Sequence, residues 1–202
     1  MTHMGADEFE ARYVREVDPW GYETRPYERA KYDATLAACG SGPFARALEL
    51  GSSIGVLSAR LAGRCERLVT VDASPTAVSA ARRRLAEAAD LSLGGSDGGG
   101  PRAVDVVLGT IPADIPDGPY DLVVASEILY YLELEPLTST LSRLREVTGP
   151  GSRLVAVHWR PAGPERPFTA ADVHARLGEQ PWLAHLDAAS TDDYLLDCYR
   201  RR

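Results

Sequence analysis

The sequence predicts an α/β fold built on a doubly wound, mostly parallel β-sheet. Three observations carry this reading. Short apolar runs alternate with segments of helical spacing from Ala45 onward. A small-residue turn, Gly51-Ser52-Ser53-Ile54-Gly55, follows the first of those runs, and the second run ends in Asp72. Strands interleaved with helices imply a parallel sheet covered on both faces. Right-handed crossovers then put the ligand crevice at the carboxyl ends of the strands. At 202 residues the chain suits a single domain, 1–202, with a sizeable core.

Residues 1–30 are polar and aromatic, with Tyr13, Trp20, Tyr22 and Tyr27 set among charges. Pro19 and Gly21 make residues 18–22 loop-like. Helical spacing covers 28–38 and stops at Gly40, with Pro43 just beyond. Residues 46–50 form a strand entering the glycine turn, and 54–61 a helix leaving it. A β-rich run at 68–71 reaches Asp72, and Ser74-Pro75 caps a helix over 76–89. The glycine-rich stretch 94–100 reads as a surface insertion. Strands follow at 103–108 and 120–126, then a helix at 136–147 stopped by Gly149-Pro150-Gly151. A fifth strand at 153–159, a helix at 170–177 and a last strand at 193–200 complete the pattern, and Arg200-Arg201-Arg202 reads as a solvated basic tail.

Composition narrows the function. A net charge of −7 argues against a nucleic-acid backbone as partner. No apolar run approaches the roughly 18 residues of a membrane span, and the N-terminus lacks a signal-peptide core. Cys39, Cys65 and Cys198 have no paired spacing and read as buried fillers, so a cytoplasmic location is expected. His174 and His185 have no ligand-like spacing, and no metal is expected.

A strand delivering a small-residue turn into a helix N-terminus aims backbone N–H groups at a ligand. Asp72, ending the second strand, is placed across the crevice to accept ribose hydroxyls. The cofactor is therefore a nucleoside. A dinucleotide frame of G-x-G-x-x-G fails, because it meets Ser53 and Val56 where glycines are needed. A G-x-S-x-G nucleophile elbow fits Gly51-Ser52-Ser53-Ile54-Gly55, with Asp121 and His158 following in order, but no oxyanion-hole segment precedes it. The remaining reading is S-adenosylmethionine (SAM): Glu49-x-Gly51-x-Ser53-x-Gly55 resembles the E/D-x-G-x-G-x-G motif of class I methyltransferases, with Ser53 replacing the middle glycine.

Three further stretches narrow the resemblance. Asp18-Pro19-Trp20-Gly21-Tyr22 with Arg25-Pro26-Tyr27-Glu28-Arg29 and Tyr32, then Ser126-Glu127-Ile128-Leu129-Tyr130-Tyr131-Leu132, then His158-Trp159-Arg160-Pro161 followed by Ala171-Asp172-Val173-His174 resemble the nodulation protein S family of methyltransferases. The resemblance runs over about residues 11–201. It implies a Rossmann-like, seven-stranded class I methyltransferase sheet at 45–202 with an N-terminal helical cap or lid at 1–40. It also implies SAM as methyl donor, S-adenosylhomocysteine (SAH) as product, and a monomer or homodimer. By the same resemblance Gly51, Ser52 and Ser53 line the methionine part and Asp72 the ribose, with Glu49, Gly55 and Ala73 also cofactor-binding. Thr110 and Ile111 stand where many such enzymes bind adenine through an Asp, and Ser126 and Glu127 lie beside the methyl. Members are similar to enzymes that N-methylate amines on sugars, so the expected partner is a small amine-bearing sugar, either an amino sugar or an aminoglycoside of the apramycin or streptomycin type from antibiotic biosynthesis.

Methyl transfer from a sulfonium needs mainly alignment, while a protonated amine must first present a lone pair. Glu127 and His158, at strand carboxyl ends, are the candidate proton acceptors. Trp20, Tyr22, Tyr130, Tyr131, Trp159 and Arg160 are candidates for the substrate wall, since aromatic faces suit sugars and cations, although aromatics at these spacings also serve as plain core. An O-methyltransferase, a non-catalytic SAM-binding protein and a serine hydrolase using Ser53 remain the alternatives.

Overall fold

The computed structural model describes residues 4–93 and 103–202, so the glycine-rich stretch 94–100 lies outside the described residues. Two N-terminal helices, α1 (Ala6–Arg15) and α2 (Pro26–Cys39), precede an alternating α/β unit. That unit runs β1 (Phe44–Leu50), α3 (Val56–Ala62), β2 (Cys65–Asp72), α4 (Pro75–Leu93), β3 (Ala103–Leu108), β4 (Tyr120–Ser126), α5 (Leu134–Val147), β5 (Thr148–Trp159) and α6 (Ala170–Gly178). A hairpin of β6 (Leu183–Ser190) and β7 (Tyr194–Arg201) closes the chain.

The seven strands form one sheet in the order β3-β2-β1-β4-β5-β7-β6. The first five pair in parallel, and β7 runs antiparallel to both β5 and β6. Period-two alternation splits the strands between two cores. Leu48, Leu50, Val123, Ala125 and Leu154 face α5 and α6. Ala47, Leu122, Val124, Val155 and Val157 face α2 and α3. Both faces are covered, which is why the central strands read as continuous apolar runs rather than as alternating ones.

Three differences from the sequence expectation have physical causes. Helix α1 falls in the polar and aromatic stretch 1–30, where a helical cap is implied by the resemblance but not by spacing, because its core face is only Phe9 and Tyr13, one turn apart. Strand β6 was missed because LAHLDAAS is poor in β-branched residues, and it survives as an exposed edge strand paired only to β7. Strand β5 begins five residues before the expected Arg153: the Gly149-Pro150-Gly151 stop is absorbed at an irregularity in the β4–β5 pairing. The capping signal held, since the Ser74 hydroxyl accepts from the Ala77 N–H at 3.0 Å. Cys39, Cys65 and Cys198 are buried thiols, none of them in a disulfide among the described residues.

Leu48 is fully buried on β1, an interior strand of the sheet. Leu48→Ala is expected to cost about 2–5 kcal/mol of stability through the cavity it leaves. Urea denaturation measures this, and a loss under ~1 kcal/mol would contradict the packing described.

Candidate active site

From β1 the chain crosses over through β2 to β3 on one side, then returns to lay β4 on the other side of β1. The loops leaving β1 and β4 therefore diverge and open a crevice at their carboxyl ends. A cavity of about 300 Å³ fills it, within the range of small-molecule sites. Its walls are the glycine turn, Asp72-Ala73, Gly109-Thr110-Ile111, Ser126-Glu127-Ile128 and, from the N-terminal segment, Met4, Phe9, Tyr13, Tyr22 and Tyr32.

The turn is held by backbone geometry. Gly51 sits at φ +76° with the Ile128 side chain 3.4 Å from where a Cβ would point. Gly55 adopts φ +80° as the N-cap of α3, where a Cβ would meet Ala81 of α4 at 3.0–3.1 Å. Ser53 takes the left-handed conformation at φ +49° without being glycine, and its Oγ accepts from the Tyr13 hydroxyl at 2.6 Å. The middle position thus tolerates serine by tying it to α1. Helix α1 is fastened at a second point: the Glu10 carboxylate accepts from the Ser74 hydroxyl and the Thr76 hydroxyl, each at 2.6 Å, at the N-terminus of α4.

Asp72 accepts the Ser53 N–H at 2.7 Å on one carboxylate oxygen and the Ser74 N–H at 3.0 Å on the other. Each oxygen keeps a second lone pair. The Ser52 hydroxyl is buried against the cavity with no partner among the described residues. Thr110 donates both its N–H (2.8 Å) and its hydroxyl (3.3 Å) to Asp114, a residue the sequence did not single out. Glu49 is buried below the turn and accepts the Ser58 hydroxyl at 2.5 Å. Burial pushes its carboxyl up to about 7, against the lowering effect of the Ser58 bond.

Glu127 lies on the cavity wall at φ +57° with both oxygens engaged. Oε1 accepts from Lys31 Nζ at 2.7 Å; Oε2 accepts from the Trp159 N–H at 3.0 Å and from the Tyr130 hydroxyl. Lys31 also pairs with Glu28 at 3.0 Å. Neither Lys31 nor Glu28 was singled out as a site residue from sequence. Lys31 is the chain's single lysine beside 21 arginines, which was the available signal.

His158 must be corrected. Its ring is fully buried and does not line the cavity. Nε2 accepts the Leu129 N–H at 3.2 Å, so the proton sits on Nδ1 and is donated to His174 Nε2 at 3.0 Å. His174 in turn bonds Asp197 at 2.5 Å, and Asp197 bonds His185 at 2.7 Å. Burial, then the neighbouring His174, Lys31 and Arg166, hold His158 well below the usual imidazole range. With both nitrogens occupied it anchors the segment after β4 and has no lone pair for a substrate proton. The same geometry removes the hydrolase reading: Asp121 accepts the Ala45 and Arg46 N–H groups at the amino end of the sheet, far along the strands from Ser53.

The expected substrate wall divides. Tyr22 and Tyr131 line the cavity. Trp20 stands behind, packed on Phe9, Tyr13 and Tyr22. Tyr130 is buried with its hydroxyl on Glu127, and the Arg166 guanidinium lies 4.6 Å from its ring centre. Trp159 is 41% exposed and outside the cavity. Arg160 turns away to Ser190 (2.8 Å) and the Thr191 carbonyl (3.1 Å), which takes it out of the site.

The Glu49 environment makes a signed prediction. Its folded-state pKa lies above the ordinary 4.5, so its contribution to stability is full below 4.5 and is lost as pH rises through about 7. Glu49→Gln should therefore be more stable than the parent above neutral pH, with the two converging as pH falls toward 4.5. Urea titrations across that span check it, and a difference independent of pH would contradict it.

Comparison with known proteins agrees with this architecture. The family described as nodulation protein S (NodS) matches residues 3–160. Nodulation protein S of Rhizobium tropici is 30% identical over 151 residues, covering 74% of this chain and 58% of that protein. The chain thus spans somewhat over half the length of that curated relative. The crystal structure of N-methyltransferase NodS from Bradyrhizobium japonicum WM9 in complex with SAH superposes with a TM-score of 0.80 at 25% identity, covering 95% of this chain and 97% of that one. A methyltransferase structure from Pseudomonas syringae, described as putative in function, is 36% identical with a TM-score of 0.71, covering 88% of this chain and all of that one. The seven-stranded sheet is that of class I methyltransferases, and the chain belongs to the nodulation protein S family.

Proposed function

We propose that this protein is an N-methyltransferase that moves the methyl group of SAM to an amine carried by a sugar. The observation that carries the cofactor assignment is the Ser52–Asp72 wall. A buried hydroxyl without a partner and a carboxylate with one free lone pair per oxygen face the same cavity. A buried polar atom left unpaired is costly, and a ligand bearing a ribose and an amino acid supplies the missing partners. Gly51, Ser52 and Ser53 would hold the methionine part, Asp72 and Ala73 the ribose, and Thr110 and Ile111 the adenine. When bound, SAM supplies a methyl already activated on a sulfonium.

The chain's own residues then do the aligning, worth on the order of 7–11 kcal/mol in such reactions. Tyr22 and Tyr131 present ring faces to a cavity that would hold a cation. Residues of α1 cover the cavity and exclude water, acting as the lid through Tyr13 and Glu10. The state of the two expected proton acceptors supports an amine over a hydroxyl acceptor. His158 has no free lone pair and Glu127 already accepts three hydrogen bonds, so the site favours a nucleophile that attacks without a general base, as a neutral amine does and a hydroxyl does not. The solved relative named as an N-methyltransferase supports the same choice. The sugar rests on the sequence resemblance and on the exposed Trp159 indole, whose residue follows His158 and whose backbone N–H, not its ring, is bonded to Glu127. For an antibiotic-type acceptor the molecule offers no separate support.

Incubation with SAM and a panel of glucosamine oligomers, aminoglycosides, neutral sugars and simple phenols, read by a mass gain of one methyl, tests the assignment. Turnover of an amine is expected; turnover of hydroxyl acceptors alone would overturn it. Asp72→Asn is expected to weaken SAH binding about tenfold or more by calorimetry, the scale of a hydrogen bond to a charged group. Unchanged affinity would remove Asp72 from the cofactor site.

A further inference from the structure

The sole lysine occupies a place that stability does not explain. Lys31 is 1% exposed, its Nζ 2.7 Å from Glu127 and 3.0 Å from Glu28, and Glu28 is 6% exposed. Buried ion clusters of this kind are generally no more stable than apolar side chains of similar volume. Twenty-one arginines elsewhere show that the composition favours guanidinium for surface charge. One ammonium is kept inside, against the carboxylate on the reacting side of the cavity.

The lone pairs of Glu127 show what it does there. A carboxylate offers about four acceptor positions. The Tyr130 hydroxyl and the Trp159 N–H fill those of Oε2, and Lys31 takes one on Oε1. A single position on Oε1 is left, and the charge behind it is already balanced. Lys31 Nζ lies closer to Glu127, at 2.7 Å, than to Glu28, at 3.0 Å, and burial raises the Glu28 carboxyl above its ordinary range. The remaining position can take one N–H from a neutral amine and turn its lone pair toward the methyl.

We infer that Lys31 is a positioning residue for methyl transfer, cancelling the charge of Glu127 so that the site takes the acceptor nitrogen as a free base and rejects its ammonium. The inference rests on the methyl-transfer reading above. In the transfer the nitrogen lone pair forms the new N–C bond, the C–S pair stays on sulfur, and the cationic product nitrogen sheds its proton to water. A nitrogen that arrives protonated has no pair to give, and a site that paired it with a bare carboxylate would trap it in that state.

Sinefungin, a SAM analogue carrying an amine where the transferred methyl would be, probes the charge at this point without requiring a known acceptor. Calorimetry near neutral pH gives its affinity relative to SAH. The parent protein should bind the two within a small factor of each other. Lys31→Met should shift the ratio toward sinefungin by about tenfold or more, because Glu127 is left uncompensated. Glu127→Gln, which keeps Lys31, should shift it the other way, and the double variant should restore the parent ratio. If Lys31→Met fails to fold, Glu127→Gln alone decides the matter. A ratio unmoved in the folded single variants overturns the inference while leaving the cofactor reading intact; a parent protein that binds no SAH overturns both.

Discussion

The chain leaves β1 toward β2 on one side and comes back from β3 to place β4 on the other, which forces the loops after β1 and β4 apart, and the molecule is organised around the gap this makes. The gap lies at the carboxyl ends of the apolar strands β1 and β4. Asp72 and the glycine turn brace one another there, through the Ser53 N–H and through the Gly51 N–H to the Val71 carbonyl at 2.8 Å. On the other side, the Glu127 N–H reaches the Val157 carbonyl at 2.8 Å, and the His158 ring holds the next turn by the Leu129 N–H. The two walls are thus fixed by the sheet itself, and α1 and α2 need only cover what it leaves open.

Covering it brings charge into the interior. Glu28, Lys31, Glu49, Asp72 and Glu127 cluster about one crevice with four carboxylates to one ammonium. Such an excess of buried negative charge is costly in the absence of a cation. A sulfonium or an α-ammonium of the cofactor offsets that cost on the Glu49–Asp72 side of the cavity, while Lys31 already stands against Glu127 on the other. The raised carboxyls of Glu49, Asp72 and Glu28, each pushed up first by burial, are the signature of that tension.

Much of this was legible in the sequence because it is local. Gly51, Gly55 and Asp72 announce themselves by spacing, and Ser74-Pro75 by capping chemistry. What escaped was non-local. The Tyr13–Ser53 bond joins residues forty positions apart, and Lys31 meets Glu127 across 96. His158 was misread because its position at the end of β5 is visible in sequence, whereas the side chains that saturate it, His174 and the Leu129 N–H, are known only once the chain folds. Arg160 was misplaced for a similar reason: it follows two residues near the crevice, but its partners lie on the β6–β7 hairpin, half of which has too little β-forming character to be seen.

The single lysine has a practical corollary. Because no other side chain in the sequence carries an ε-amino group, an isotope introduced through lysine marks one atom, and that atom sits beside Glu127. The protein comes with a reporter built into the wall of its crevice. One resonance, free of overlap, would follow the charge and motion of the site as ligands come and go, where most enzymes of this size would return a crowd of surface signals.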